Sequence, residues 1–320
     1  MIKLSILLPT YNRVNKFKEL IEYLRQEKVF ENEKIQVIVS NNGSSDGTRE
    51  YINTLNEQNL SIFNQKTNLG IIGNFRFLIE NVVGEYIWIM GDNDYYTAGT
   101  IEYILKILDE NESCTHVFLN YGAIGGIDTF RDGKVFHGIG GIYVNGLDMF
   151  YKISEDSSLG ALMFISANIY RTKEVKAANE LIDRLGERDN LALPLGYSMY
   201  CSKGLGYCVS DVHVYNEMST PSTWSDSQIK VYCRDIIAMY ATITEAFEDK
   251  KELREFLFKN LPTRFAEYKY LLRGRKFGKS NYAMKFFFKY KPWKLVLDLL
   301  EIPIYAAFLS EKKFGRKVNK

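Results

Sequence analysis

The chain lacks the features that would place it in several common classes. Its four cysteines, Cys114, Cys201, Cys208 and Cys233, form no CxxC pair and do not cluster with its three histidines. That argues against a disulfide framework and for a reduced, cytoplasmic setting. Neither charge is in excess. With 41 Lys and Arg against 39 Asp and Glu there is no dominant whole-chain field, so global charge names no partner. Long apolar runs are missing too. Residues 4–8 are apolar, but Pro9 and the polar residues 10–13 end that run before signal-peptide length. No other stretch reaches the roughly 18 uninterrupted apolar residues of a membrane span. Internal repeats and low-complexity tracts are absent. What is present is a chain of 320 residues, 46% hydrophobic and 14% aromatic, enough to build one large core.

From residue 1 to about 110, short β-rich runs alternate with helical periodicity, the signature of βαβ units and a mainly parallel sheet. LSILL (4–8), IQVIV (35–39), LSIF (60–63) and YIWIM (86–90) read as strands. Phe17, Leu20, Ile21 and Leu24 recur at helical spacing, and further helices are expected across 74–83 and about 100–109. Beyond residue 115 the alternation weakens. Strands are expected at 115–121, 164–170 and 207–215, glycine-rich hairpins and loops at 122–146, and helix at 173–205 and from about 226 onward.

Three polar segments follow successive strands, and in open α/β sheets ligands bind at that carboxyl edge. They are Pro9-Thr10-Tyr11-Asn12-Arg13, the turn from Asn41 and Asn42 to Thr48, and Gly91-Asp92-Asn93-Asp94. Asp92 and Asp94, one residue apart at the mouth of an apolar strand, repel each other unless a cation neutralises them. A phosphate-bridged Mg²⁺ or Mn²⁺ does so with one or two protein carboxylates. Alone, the same triplet also serves as a polar turn before a helix.

Taken together, SILLPTYNR (5–13), VIVSNNGSSDGT (37–48), NLG (68–70) and GEYIWIMGDND (84–94) resemble the family 2 glycosyltransferases in order and spacing. NLGIIGNF (68–75) and GDND are most similar to abequosyltransferase-like members that build bacterial surface polysaccharides. The resemblance implies a GT-A fold, Rossmann-like with a mainly parallel central sheet, over residues 1–220, and the sequence pattern adds a helical C-terminal region over 221–320. It implies inverting, metal-dependent transfer from a nucleotide-sugar, foremost a UDP-sugar, to a glycan or lipid-linked acceptor. Position by position, Pro9, Thr10, Tyr11 and Arg13 fall in the donor segment. Asn41 and Asn42 stand where many relatives carry a base-reading acidic pair. Asn74 and Arg76 lie in a segment that approaches base or phosphates, and Asp92, Asn93 and Asp94 form the metal and diphosphate block. His213 matches a residue that often completes the metal site. The catalytic base is expected at Asp189 or Glu187 in Gly186-Glu187-Arg188-Asp189-Asn190, where Arg188 separates the family's adjacent acids. Trp224 is a candidate for stacking on the sugar.

Between 264 and 294, ten Lys and Arg stand against one acid, Glu267, interleaved with aromatics. That composition suits an anionic membrane surface, with the chain peripheral on the inner face of the cell membrane. No nucleic-acid recognition motif accompanies it. Two other readings are a nucleotidyltransferase, which lacks a basic Gly-rich activating loop here, and an inactive nucleotide-binding or membrane scaffold, suggested by Asn41, Asn42 and Asn93 in place of acids.

Overall fold

The structure is a computed structural model that describes residues 1–124, 133–157, 159–217 and 235–251, together with Val231, Leu253 and Phe256. The N-terminal half alternates as its sequence periodicity predicts. β1 (Leu4–Thr10), α1 (Val14–Gln26), β2 (Ile35–Asn41), α2 (Thr48–Ile52), β3 (Leu60–Asn64), α3 (Gly70–Glu80) and β4 (Tyr86–Ile89) follow in order. α1 buries Phe17, Leu20, Ile21 and Leu24, the stripe visible in the sequence. α3 starts earlier than residue 74 because Asn42 Oδ1 accepts the Leu69 amide at 2.8 Å and Asn68 Oδ1 accepts the Gly70 amide at 2.7 Å. These side chains satisfy amides that the first turn leaves without helical partners.

The second half is β5 (Tyr95–Tyr96), α4 (Thr100–Glu110), β6 (Cys114–Ile124), β7 (Gly141–Tyr143), α5 (Gly146–Ser157), α6 (Leu159–Met163), β8 (Asn168–Arg171), α7 (Thr172–Arg184), α8 (Leu193–Cys201), β9 (Leu205–Glu217) and α9 (Ile236–Thr244). The strands form one sheet in the order β3-β2-β1-β4-β8-β6-β9-β5, with β7 also paired to β9. β1 to β4 are parallel, while β8 runs antiparallel to both neighbours. The expected strand 164–170 is only half strand. Ile165–Ala167 is a 3₁₀ turn, closed by the Asn168 side-chain Nδ2 donating to the Phe164 carbonyl at 2.7 Å. The expected helix over 173–205 is two helices. α7 ends where Gly186 adopts φ +79°, the Glu187 amide donates to Ile182 O and the Gly186 amide to Asp183 O, and Pro194 opens α8. That pair of bonds is a Schellman ending, which needs a left-handed residue just past the helix.

α9 lies beyond the boundary expected at residue 220, yet Ile236, Met239, Tyr240 and Ile243 belong to the same buried core as α7 and α8. Among the described residues no helix is long and apolar enough to cross a membrane. Trp224 and the basic, aromatic stretch 264–294 lie outside the described residues.

Candidate functional site

Strand register assembles the site. Leu7 on β1 pairs with Ile89 on β4, so three residues further along, Thr10 comes level with Asp92. Ile169 on β8 pairs antiparallel with Trp88, so Ser166 comes level with Gly91. Both extrapolations are realised in side-chain contacts. The Thr10 hydroxyl donates to Asp92 Oδ2 at 2.8 Å, and Ser166 Oγ accepts the Gly91 amide at 2.9 Å while donating to Asp94 Oδ2 at 2.5 Å. Arg13 Nη1 lies 3.7 Å from Asp92 Oδ1. Each acid thus holds one hydroxyl proton from a different part of the chain, and one guanidinium faces the pair.

The close packing has a backbone cause. A Cβ on Gly91 would sit 2.4 Å from Asp94 Oδ2 and 3.1 Å from Ser166 Oγ, so only glycine lets the chain bring Asp94 under Ser166. Trp88 Nε1 donates to the Ser166 carbonyl at 2.9 Å, and the Tyr96 hydroxyl donates to the Gly91 carbonyl at 3.3 Å, which fixes both ends of the turn.

Burial controls the electrostatics. It pushes the Asp92 pKa up to about 6, against the pull of Arg13 and the Thr10 bond. It pushes Asp94 up to about 7, against the Ser166 bond and helped by the negative charge of Asp92. Glu217, at the end of β9, adds a smaller upward push on Asp94 and pairs with Lys16 Nζ at 3.3 Å. Two desolvated carboxylates, Asp92 buried and Asp94 half-buried, that resist ionisation side by side would gain from a divalent cation. Their hard oxygens are the donor type that Mg²⁺ or Mn²⁺ takes. Among the described residues no group of three His, Cys, Asp or Glu side chains could hold a metal ion.

The neighbouring turn is built from amides. Asn41 Oδ1 accepts the Ser44 amide at 3.1 Å, and its Nδ2 donates to Asn64 Oδ1 at 2.8 Å. Asn42 Nδ2 donates to Asn68 Oδ1 at 2.9 Å and to the Gly70 carbonyl at 3.3 Å. Both side chains therefore tie this turn to the end of β3 and the start of α3. Asp46 accepts the Val14 amide through one oxygen at 3.0 Å and the Thr48 amide through the other at 3.1 Å, so one carboxylate serves the first turns of both α1 and α2. Tyr11 is 41% exposed beside this turn and Pro9 is half-buried. Asn93 is half-buried between the two acids.

Other residues marked in the sequence make their contacts outside this cluster. Asn74 is buried against β2, accepting from the Ser40 hydroxyl at 2.6 Å and donating to the Ser40 carbonyl at 3.2 Å. Arg76 faces the end of α7, with Nη2 2.9 Å from Asp183 Oδ1 and Nε donating to the Arg188 carbonyl at 3.1 Å. The His213 ring is stacked on Tyr103 at 4.9 Å and lies 3.3 Å and 3.4 Å from the Thr100 and Thr97 hydroxyls, and burial holds its pKa below the ordinary value. Among the described residues, His213 forms no group with Asp92 and Asp94 that could hold a metal ion. Glu187 accepts from the Asn190 amide side chain at 3.0 Å, and Asp189 is exposed on the same loop.

Two site residues escape a reading of the sequence. Ser166 sits in an apolar run read as strand, where period alone does not show a 3₁₀ turn. Glu217 lies two residues past the strand expected at 207–215.

Residues 5–166 match the family model described as Glycosyl transferase family 2. An abequosyltransferase of Salmonella typhimurium is 32% identical over 109 residues, which cover 33% of this chain and 32% of that protein. The chain thus spans about a third of that relative. The structure of TarS residues 1–349 from S. aureus with UDP-GlcNAc superposes with a TM-score of 0.62 at 17% identity, covering 81% of this chain and 72% of that one. A mannosyltransferase from Pyrobaculum calidifontis with GDP-Man and Mn²⁺ gives a TM-score of 0.51 at 14% identity, covering 93% and 86%. These likenesses establish the fold, an α/β architecture of the GT-A kind.

Proposed function

Because this chain belongs to the family 2 glycosyltransferases, we propose that it moves a sugar, with inversion, from a nucleoside-diphosphate donor to a hydroxyl of a glycan or lipid-linked acceptor in surface polysaccharide assembly. The observation that carries this reading is the convergence of Thr10, Arg13, Asp92 and Asp94 at the carboxyl edge, each acid held by a hydroxyl. TarS and the mannosyltransferase bind nucleotide-sugars, which supports a donor of that class here, a UDP-sugar foremost.

In this reading Thr10 and Ser166 fix the two carboxylates, and Arg13 offers positive charge to the diphosphate. Tyr11 offers an aromatic face to the base, with Pro9, Asn41 and Asn42 walling the pocket and Asn93 bordering the diphosphate. A divalent cation, Mn²⁺ or Mg²⁺, held by Asp92 and Asp94 would neutralise charge on the leaving diphosphate. Asp189, or Glu187 beside it, accepts the proton of the acceptor hydroxyl. The oxygen forms its bond to the anomeric carbon as the bond from that carbon to the diphosphate oxygen breaks, and the nucleoside diphosphate leaves. The basic, aromatic composition of 264–294 supports attachment to the inner membrane face, where a lipid-linked acceptor would lie.

The test is release of nucleoside diphosphate from UDP-, CDP-, GDP- and dTDP-sugars in the presence of glycan or lipid-linked acceptors. Release from one donor, with turnover reduced at least 100-fold in Asp189→Asn or Glu187→Gln while donor binding persists, is expected. Binding of nucleotide with no turnover of any donor would instead favour an inactive scaffold.

A further inference from the structure

The loop carrying Glu187 and Asp189 is fixed to the donor edge through one side chain. Arg76, on α3, is 5% exposed, and its guanidinium faces the end of α7. Nη2 pairs with Asp183 Oδ1 at 2.9 Å and Nε donates to the Arg188 carbonyl at 3.1 Å. Asp183 also accepts from Arg188 Nη1 at 2.7 Å, so its carboxylate lies between two guanidiniums. Past the Schellman ending of α7, the Asn190 amide donates to the Glu187 carbonyl at 3.1 Å, and Asp235 Oδ2 accepts the Leu191 amide at 3.1 Å.

At its other end, α3 is anchored to the candidate donor turn. Gly70 and Leu69 are held by Asn68 and Asn42, and Asn74 is held by Ser40 at the end of β2. Six helical rises separate Gly70 from Arg76, about 9 Å of rigid rod. The helix therefore connects the turn beside the acid pair to the carbonyl between Glu187 and Asp189.

We infer that Arg76 is a positioning residue, setting the distance between the donor site and the acidic loop. The inference rests on the reading that this loop carries the general base. A planar guanidinium can make the Asp183 pair and the Arg188 bond together, whereas an ammonium offers a single centre. Arg76→Lys therefore retains a charge pair with Asp183 and releases the carbonyl at 188, so it separates holding the fold from aiming the loop.

The experiment compares wild type, Arg76→Lys and Asp183→Asn in the full chain, measuring kcat, donor KM, nucleoside-diphosphate affinity and amide hydrogen exchange over 187–191. Roughly tenfold lower kcat in both variants is expected, with donor KM and nucleotide affinity within about twofold and faster exchange in the loop, since misplacement of about 1 Å can cost such factors. Unchanged kcat and exchange in Arg76→Lys would overturn the inference. So would a loss of nucleotide affinity with kcat retained, which would place Arg76 at the donor. Glu187→Gln and Asp189→Asn are measured alongside. Full turnover in both overturns the reading of the loop and the inference with it, whereas loss in either with Arg76→Lys unaffected overturns the inference alone.

Discussion

Asp92 and Asp94 ionise at a cost that the rest of the site is arranged to offset. Burial raises both pKa values, to about 6 and about 7, above the ordinary aspartate value near 4. Between about pH 4 and 7 the folded chain therefore holds more protons than the unfolded chain, and its stability falls as pH rises. Thermal melts of the cation-free protein should show Tm decreasing from pH 5 to pH 8, and Asp94→Asn should flatten that slope and melt higher than wild type at pH 8. A Tm that rises over the same range would contradict the burial argument. Ser166 makes a second prediction at this scale. Its hydroxyl accepts from Gly91 and donates to Asp94, so Ser166→Ala removes the proton that orients the carboxylate. About a tenfold fall in kcat/KM is expected, by analogy with partners that orient metal ligands, and steady-state kinetics check it.

Elements meet at their ends, and there the structure depends on a few turn residues. Asp46 serves α1 and α2 with separate oxygens, so Asp46→Ala should destabilise the chain by about 1–2 kcal/mol in urea titration, at the upper end for a capping residue. The parallel half was legible because its cues are local. LSILL and IQVIV are buried apolar runs, and α1 shows its stripe as Phe17, Leu20, Ile21 and Leu24. Asn145 illustrates what was hidden. Its side-chain oxygen accepts the Leu147 amide at 3.1 Å and starts α5, but the glycines around it read as loop. Gly186 was hidden in the same way, since its left-handed φ turns one apparent helix into two. Thr10, Asp92 and Asp94 could be marked from their places after strands. Ser166 could not, because it reaches Asp94 through antiparallel pairing of β8 with β4, a long-range register that no local window contains.

At the scale of the whole molecule, one continuous core runs from β1 to α9 and holds the candidate site at a single sheet edge. The C-terminal composition makes its own prediction. The full chain should sediment with vesicles containing anionic lipid at low salt and be released as ionic strength rises to about 0.5 M, because the attraction is screened. Equal binding to neutral vesicles would contradict an electrostatic attachment. In the proposed function Asp92 and Asp94, held by Thr10 and Ser166, grip a nucleoside diphosphate through a divalent cation. Titration calorimetry of UDP and GDP, with and without Mn²⁺, into wild type, Asp92→Asn and Asp94→Asn tests it most directly. Mn²⁺ should strengthen binding of one nucleotide by at least about tenfold in wild type, a gain of about 1.4 kcal/mol, and either substitution should abolish the gain. Equal affinity with and without Mn²⁺ in wild type, or a gain that survives in Asp94→Asn, would contradict it.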